Sequence, residues 1–318
     1  MCHRVSSRSS GKENGVSPLK FETGMPLEHF EKLMRFVNDQ MHPVSLEEVV
    51  NFVTGKKGIP DRAVAVTFDD GYMDNYINAF PILKRYQIPA TIFLTTGFIG
   101  TELIFWWDRI GEILKRTRIR ELEMNGVRDF LSINKEWIPD LIHLNTQGER
   151  NGAWDLLTKA LRQCSPDRVE KTIEFMEDRL EVRTEAYRHL HLMLTWEQIQ
   201  EMSEAGIDFG AHTVSHPYLS ESTADDFEKE VLGSKKVIED RIRKPVTSFA
   251  YPFGDFASLP SAFKKRLREY GFQCAFLAEE GYVSSESDPY EMKRLGVEDA
   301  SVGIVVRELT TLFRQNTY

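Results

Sequence analysis

Two pairs of side chains have the types and spacing for metal-assisted hydrolysis. Asp69 and Asp70 stand side by side in Thr67-Phe68-Asp69-Asp70-Gly71-Tyr72, after an apolar run and before a glycine that lets the chain turn tightly. Adjacent carboxylates stay ionised only when a counter-charge or a hydrogen-bond network surrounds them. His212 and His216 lie four residues apart in His212-Thr213-Val214-Ser215-His216. On a helical turn that spacing puts both rings on one side, able to grip one ion. It matches the zinc-protease helix signature except that Thr213 stands where the catalytic glutamate would be, so a base has to come from elsewhere. One aspartate can join the histidines as third ligand and leave a position open for water, while the other takes that water's proton. A third segment, Phe249-Ala250-Tyr251-Pro252-Phe253-Gly254, fixes a rigid turn whose backbone N–H groups can form an oxyanion hole. Each piece alone also fits a plainer role as a cap, a solvated pair or a simple turn. Their position decides between these roles, since all three follow apolar runs that read as strands of one sheet.

The elements that must hold these residues alternate. Amphipathic spacing predicts a helix over Leu27–Val37, and Ser45 with Glu48 makes a capping box before a second helix. The short apolar run Ala63–Phe68 reads as a buried strand ending in the two aspartates. Further strands are expected at Ala90–Thr95, Ile207–Gly210, Val246–Tyr251 and Phe272–Ala278. Helices are expected at Asn78–Tyr86, Trp196–Ala205, Phe227–Ile242, Phe263–Tyr270 and Gly303–Phe313. Repeated βα units imply a parallel sheet, and in such sheets ligands gather where strands end.

Between Gly100 and Leu194 the alternation gives way to helical composition, with a helix expected at Asp167–Leu180 and a small hairpin at Met124–Ile133 around Asn125-Gly126. The chain thus reads as one domain over residues 1–318 with a helical insertion at about 101–194. The insertion is either a lid or wall over a barrel mouth or a packing appendage. Trp106, Trp107, Tyr218 and Tyr251 are candidates for stacking on a ligand's ring, although aromatic residues at such spacings more often belong to the core.

Bulk properties narrow the partners. A chain of 318 residues, 41% hydrophobic, can build one large core, and a net charge of −9 repels a phosphate backbone, so nucleic acid is not expected. Cys2, Cys164 and Cys274 form no CxxC pair, which excludes a thiolate zinc site, and Cys274 reads as a small buried hydrophobe. No apolar run is long enough for a transmembrane segment, and the polar start lacks a signal-peptide core, so the chain as it stands is expected in the cytoplasm.

These segments resemble the NodB-homology domain of the polysaccharide deacetylases, carbohydrate esterase family four. Thr67 to Gly71 match its TFDDG motif and His212 to His216 its H-[ST]-x-x-H motif, and the similarity covers nearly the whole chain outside the insertion. The resemblance implies an α/β fold, a distorted (β/α) barrel of about seven parallel strands. It also implies removal of an N-acetyl group from an amino sugar of a polysaccharide or glycan. Asp70, His212 and His216 would hold a divalent metal ion, usually Zn2+, with Asp69 as general base. The third motif matches only at Pro252, Phe253 and Gly254, which implies the Phe253 N–H as oxyanion donor.

Two departures stand out. The third-motif arginine falls on Ala250, and Arg294, in Lys293-Arg294-Leu295-Gly296-Val297, is the candidate to hold Asp69 in its place. The late histidine that supplies the general acid has no counterpart, because none follows His216; His3, in Cys2-His3-Arg4-Val5, is the replacement. Members of this type often run their first strand into Tyr-His-Arg-Val, so the first strand is expected to be largely missing, and an upstream targeting segment with it. Two competing functions remain: a barrel amidase acting on a small cyclic amide or ureide, and a non-catalytic glycan-binding homologue.

Overall fold

A computed structural model of the chain describes residues 1–6, 19–22, 24–125, 138–162, 164–186, 190–219, 222–254, 261–297 and 302–315. Its packing divides into two compact units, one formed by Met1–Ser7, Gly24–Thr101 and Met193–Tyr318, the other by Arg8–Thr23 and Glu102–Leu192.

The first unit is built on five parallel strands, β1 (Val66–Phe68), β2 (Ala90–Leu94), β3 (Asp208–Ala211), β4 (Ser248–Ala250) and β5 (Cys274–Phe276). They are hydrogen-bonded in that order. β2 and β4 are buried along their whole length, as expected of parallel strands covered on both faces. Two extended segments carry the sheet round on itself. Cys2 donates to the Thr67 carbonyl and accepts from the Asp69 N–H beside β1, and Met292 exchanges hydrogen bonds with Ala275 and Leu277 beside β5. The segments then meet each other, with Met1 donating to Leu295 and accepting from Val297 in a parallel pattern. The result is a curled half-barrel sheet of five parallel strands whose two edges are joined through these extended segments, in keeping with the distorted barrel that the resemblance implies.

Local chemistry explains several element ends. Ser45 and Glu48 form the capping box at Leu46–Val53, and Thr195 and Gln198 form another at Trp196–Glu204, each cap stabilising its helix by about 1 kcal/mol. The expected strand Ala63–Phe68 breaks at Ala65: Ala63–Val64 pairs with His42–Pro43, and only Val66–Phe68 joins the main sheet. Two expected helices also differ from a regular 3.6-residue winding. Asn75–Ala79 and Glu228–Leu232 are π-helical, leading into the α-helices Phe80–Tyr86 and Gly233–Ile242. Cys274 is 1% exposed in β5, and burial pushes its thiol up to about 12, so it behaves as a small hydrophobe.

The second unit packs three α-helices, Trp106–Arg116, Gln147–Leu161 and Pro166–Arg179, around a core that includes Ile110, Ile113, Leu157, Ile173 and Met176. An antiparallel pair, Glu121–Glu123 with Leu141–His143, adds Leu122 and Ile142 to that core. The hairpin turn expected at Asn125-Gly126 lies largely outside the described residues. No described helix is long and apolar enough to cross a membrane.

Candidate active site

Asp69 and Asp70 leave the carboxyl end of β1, His212 follows β3 directly, and Phe253 lies just beyond β4. All of these strand-end residues therefore face the same end of the sheet. At the first turn Gly71 has φ +85°, and a β-carbon there would stand 2.8 Å from Ile99 and 2.9 Å from Leu94. Only glycine fits that backbone in that space.

The two aspartates, each at most 3% exposed, have opposite surroundings. Asp69 receives both arms of the Arg294 guanidinium, at 2.8 Å to Oδ1 and 2.6 Å to Oδ2. Burial alone would push the Asp69 carboxyl up. The Arg294 charge and hydrogen bonds, with help from His212 and His3, overcome this and hold it well below the usual carboxylate range. Arg294 is itself locked: its Nε donates to the Leu277 carbonyl, and its guanidinium lies 5.6 and 5.7 Å from the ring centres of Phe93 and Phe276. Arg294 thus reaches Asp69 from the extended segment that follows Met292 beside β5.

Asp70 faces nitrogen. Its Oδ1 lies 3.5 Å from His212 Nε2 and 3.4 Å from His216 Nε2, and among the described residues this buried oxygen has no hydrogen-bond partner. His212 Nδ1 sits 2.7 Å from the Ala250 carbonyl, which can only accept, so Nδ1 donates there and Nε2 turns inward toward Asp70. Burial, the largest influence on His216, lowers its pKa to about 3 and leaves that imidazole neutral near pH 7. One ligand atom from each residue lies within 4.8 Å of the others. A buried carboxylate oxygen and two imidazole nitrogens gathered around one point fit a divalent cation of the zinc type.

The histidine pair reaches this geometry by a different route from the helical turn suggested by its spacing. Residues 212–216 form a loop, with Thr213 at φ 68° and His216 at φ 59°. The Thr213 hydroxyl donates to the His212 carbonyl and accepts from the His216 N–H at 3.0 Å, and the rings meet edge-on with centroids 4.8 Å apart. Asp70 and Phe253 also have positive φ, at 73° and 59°. Left-handed backbone at four non-glycine residues around one site is strain held by its surroundings.

Across the loop, the Gly97 N–H donates to the Val214 carbonyl at 2.8 Å, and a β-carbon on Gly97 would stand 2.6 Å from that oxygen. Gly97→Ala is therefore expected to displace the histidine loop, costing about 1–3 kcal/mol and weakening zinc binding; thermal melts with and without zinc check both.

The Phe253 ring meets the His216 ring edge-on at 4.6 Å, and Tyr218 lies 6.2 Å beyond Phe253. Tyr251, by contrast, is 1% exposed and donates to the Tyr290 carbonyl, so it belongs to the core and offers no sugar platform. Trp106 and Trp107 pack against each other in the second unit. His3 is half-buried and close enough for its charge to act on Asp69, Asp70 and His216. Its carbonyl accepts from Asn75 Nδ2, while Asp74 takes the neighbouring Arg4 Nε and Val5 N–H. Asp74 and Asn75 carry no signature in the sequence that would mark them as anchors of the His3 segment.

The chain is 22% identical over 280 residues to YxkH of Bacillus subtilis, covering 88% of this chain and 67% of that protein. It is 26% identical over 167 residues to the poly-beta-1,6-N-acetyl-D-glucosamine N-deacetylase of Staphylococcus epidermidis, covering 52% and 53%. The chain thus spans only about half the length of that curated relative. Among solved structures, the Streptococcus pyogenes deacetylase PplD in complex with acetate superposes with a TM-score of 0.60 at 17% identity, over 96% of this chain and 95% of that one, a likeness of fold. The polysaccharide deacetylase family profile matches residues 56–129 and 180–275, a span that holds Asp69, Asp70, His212, His216 and Phe253 and leaves out His3 and Arg294. Because that match takes in more than half of the sequence, the chain belongs to the polysaccharide deacetylase family.

Proposed function

We propose that this protein is a metal-dependent hydrolase that removes the N-acetyl group from an amino sugar of a glycan, with a polymer of N-acetylglucosamine as the favoured substrate class. The observation that carries this reading is the pair of adjacent carboxylates in opposite roles. Asp69 is charged and clamped by Arg294, while Asp70 presents a buried oxygen to two imidazoles.

Asp70, His212 and His216 would hold the divalent ion, which when bound supplies Lewis acidity toward water and the acyl oxygen. Asp69, ionised at neutral pH, accepts a proton from the attacking water as the new C–O bond forms at the acyl carbon. Arg294 fixes the Asp69 carboxylate in one orientation and keeps it from protonating early. The Phe253 N–H donates to the oxyanion as it develops. His3 gives a proton to the sugar nitrogen as the C–N bond breaks, and acetate and a free amine leave. Tyr218 and Phe253 are placed to form one wall against a sugar ring. On this reading residues 102–192 are an insertion in one catalytic domain.

Acetate release from short N-acetylglucosamine oligomers by zinc-loaded protein tests the reaction. Wild type is expected to release acetate, and Asp69→Asn is expected to lose at least about a hundredfold in rate, the scale of a removed general base, while still binding zinc. Undiminished release by the variant would remove Asp69 from the role of base. No release by zinc-bound wild type would turn the search to another acylated substrate.

A further inference from the structure

We propose that Glu230 is a positioning residue for the metal centre, holding the histidine loop in the one conformation that aims both Nε2 atoms at Asp70. This rests on the metal-site reading above and adds to it a residue outside the loop.

Glu230 Oε2 accepts from the Val214 N–H at 2.9 Å and from the Ser215 N–H at 2.8 Å, and its Oε1 accepts from the Ser215 hydroxyl at 2.7 Å. Val214 and Ser215 are the two residues between Thr213 and His216, so one carboxylate binds the whole middle of the loop. The loop needs this anchor, because Thr213 and His216 on either side of it sit at positive φ. A β-branched residue at φ 68° is disfavoured, and such a conformation persists only where the surroundings over-determine it. Adjacent N–H groups aimed at one carboxylate are strong charge-assisted bonds that supply this constraint. On the opposite side the Thr96 and Gly97 N–H groups donate to the Thr213 and Val214 carbonyls. The loop is therefore tied at both its donors and its acceptors.

Glu230 lies within the π-helical stretch Glu228–Leu232, between Ala224–Phe227 and Gly233–Ile242. A π turn admits one extra residue and shifts the side chains on either side of it around the helix. Glu230 stands three residues after the buried Phe227 and four before the buried Ser234, on the inward face of this helical stretch. Its effect on the ion is indirect, through the backbone between two ligands. It is the same kind of outer contact that, when removed from a metal site, weakens affinity by about 10–100-fold.

Zinc affinity of the full chain, measured by competition with a chromophoric chelator, tests this alongside the melting temperature of metal-free protein. Glu230→Ala is expected to bind zinc about 10–100-fold more weakly than wild type. Glu230→Gln, which retains one acceptor oxygen for the backbone N–H groups, is expected to fall between the two, and it serves if the alanine variant does not fold. Glu239→Ala is the control. Its carboxylate accepts from the Val246 N–H and Lys235 away from the loop, so its loss is expected to lower the melting temperature and leave zinc affinity unchanged. Wild-type affinity in both Glu230 variants would overturn the proposal and leave the metal site standing. Failure of wild type itself to bind zinc would overturn the metal reading and the proposal with it.

Discussion

Arg294→Met is expected to abolish most activity and to destabilise the fold by about 3–5 kcal/mol near pH 8, because it strands the Asp69 carboxylate, 2% exposed, without its bidentate partner. The pH dependence has a definite sign. In the wild type the Asp69 carboxyl is held below its usual range, since the Arg294 charge and hydrogen bonds outweigh the burial that would raise it. A depressed carboxylate contributes stability above its unfolded value of about 3.9, and that contribution is lost as pH falls through the lower folded value. Without Arg294 burial dominates and the folded value rises. The penalty is then greatest at high pH and shrinks as acid protonates the group. Melting temperatures of wild type and variant should therefore differ more at pH 8 than at pH 5. Asp69→Asn combined with Arg294→Met should regain most of the stability and none of the activity. A single variant as stable as wild type at pH 8 would refute the account.

Asp70→Ala is expected to have the second large effect, on metal binding. Loss of an outer partner already costs about 10–100-fold in affinity, so loss of a ligand should exceed about a hundredfold. A ligand at a hundred times its dissociation constant stabilises a fold by about 2.7 kcal/mol, so zinc at that level should raise the wild-type melting temperature clearly. The variant should show no such rise. Its metal-free form should melt close to wild type, since among the described residues Asp70 Oδ1 makes no hydrogen bond that the mutation would break. Calorimetry with and without zinc reads both quantities. A zinc-induced rise that survives in the variant would place the ion elsewhere.

Much of this site was legible in the sequence because strand ends are legible. Apolar runs stop at Phe68 and near Gly210, and the polar residues beyond them, Asp69-Asp70-Gly71 and His212 to His216, stand where a parallel barrel exposes its chemistry. Arg294 is nominated by the gap that Ala250 leaves in the family's third motif, and the structure brings it onto Asp69. His3 also lands among the charged groups of the site, although 66 positions separate it from Asp69 in the chain.

The rest was hidden for identifiable physical reasons. Four-residue spacing of two histidines suggests a helix, and only the left-handed turns at Thr213 and His216 distinguish the loop that forms. Those turns depend on Glu230, which is distant in sequence, so no local pattern announces them. The π-helical segments were invisible for a related reason: their neighbours follow ordinary helical periodicity, and one inserted residue is lost within it. Tyr251 is a stacking candidate from the sequence, although aromatic residues at such spacings more often belong to the core. Its hydroxyl instead found the Tyr290 carbonyl inside the core.

The way the sheet closes has a consequence for the order in which the protein forms. The hydrogen bond between Met1 and Leu295 joins positions 294 apart, and the Asp69–Arg294 pair joins positions 225 apart. Contacts of such separation carry the largest loop-closure entropy, so they form after the local βα units have settled. Until then Asp69 has no cation to answer its charge, and burying it is opposed by several kcal/mol. The unfinished sheet is thereby disfavoured from closing over Asp69 until the segment that carries Arg294 arrives. Docking of that segment and neutralisation of the buried carboxylate become a single event.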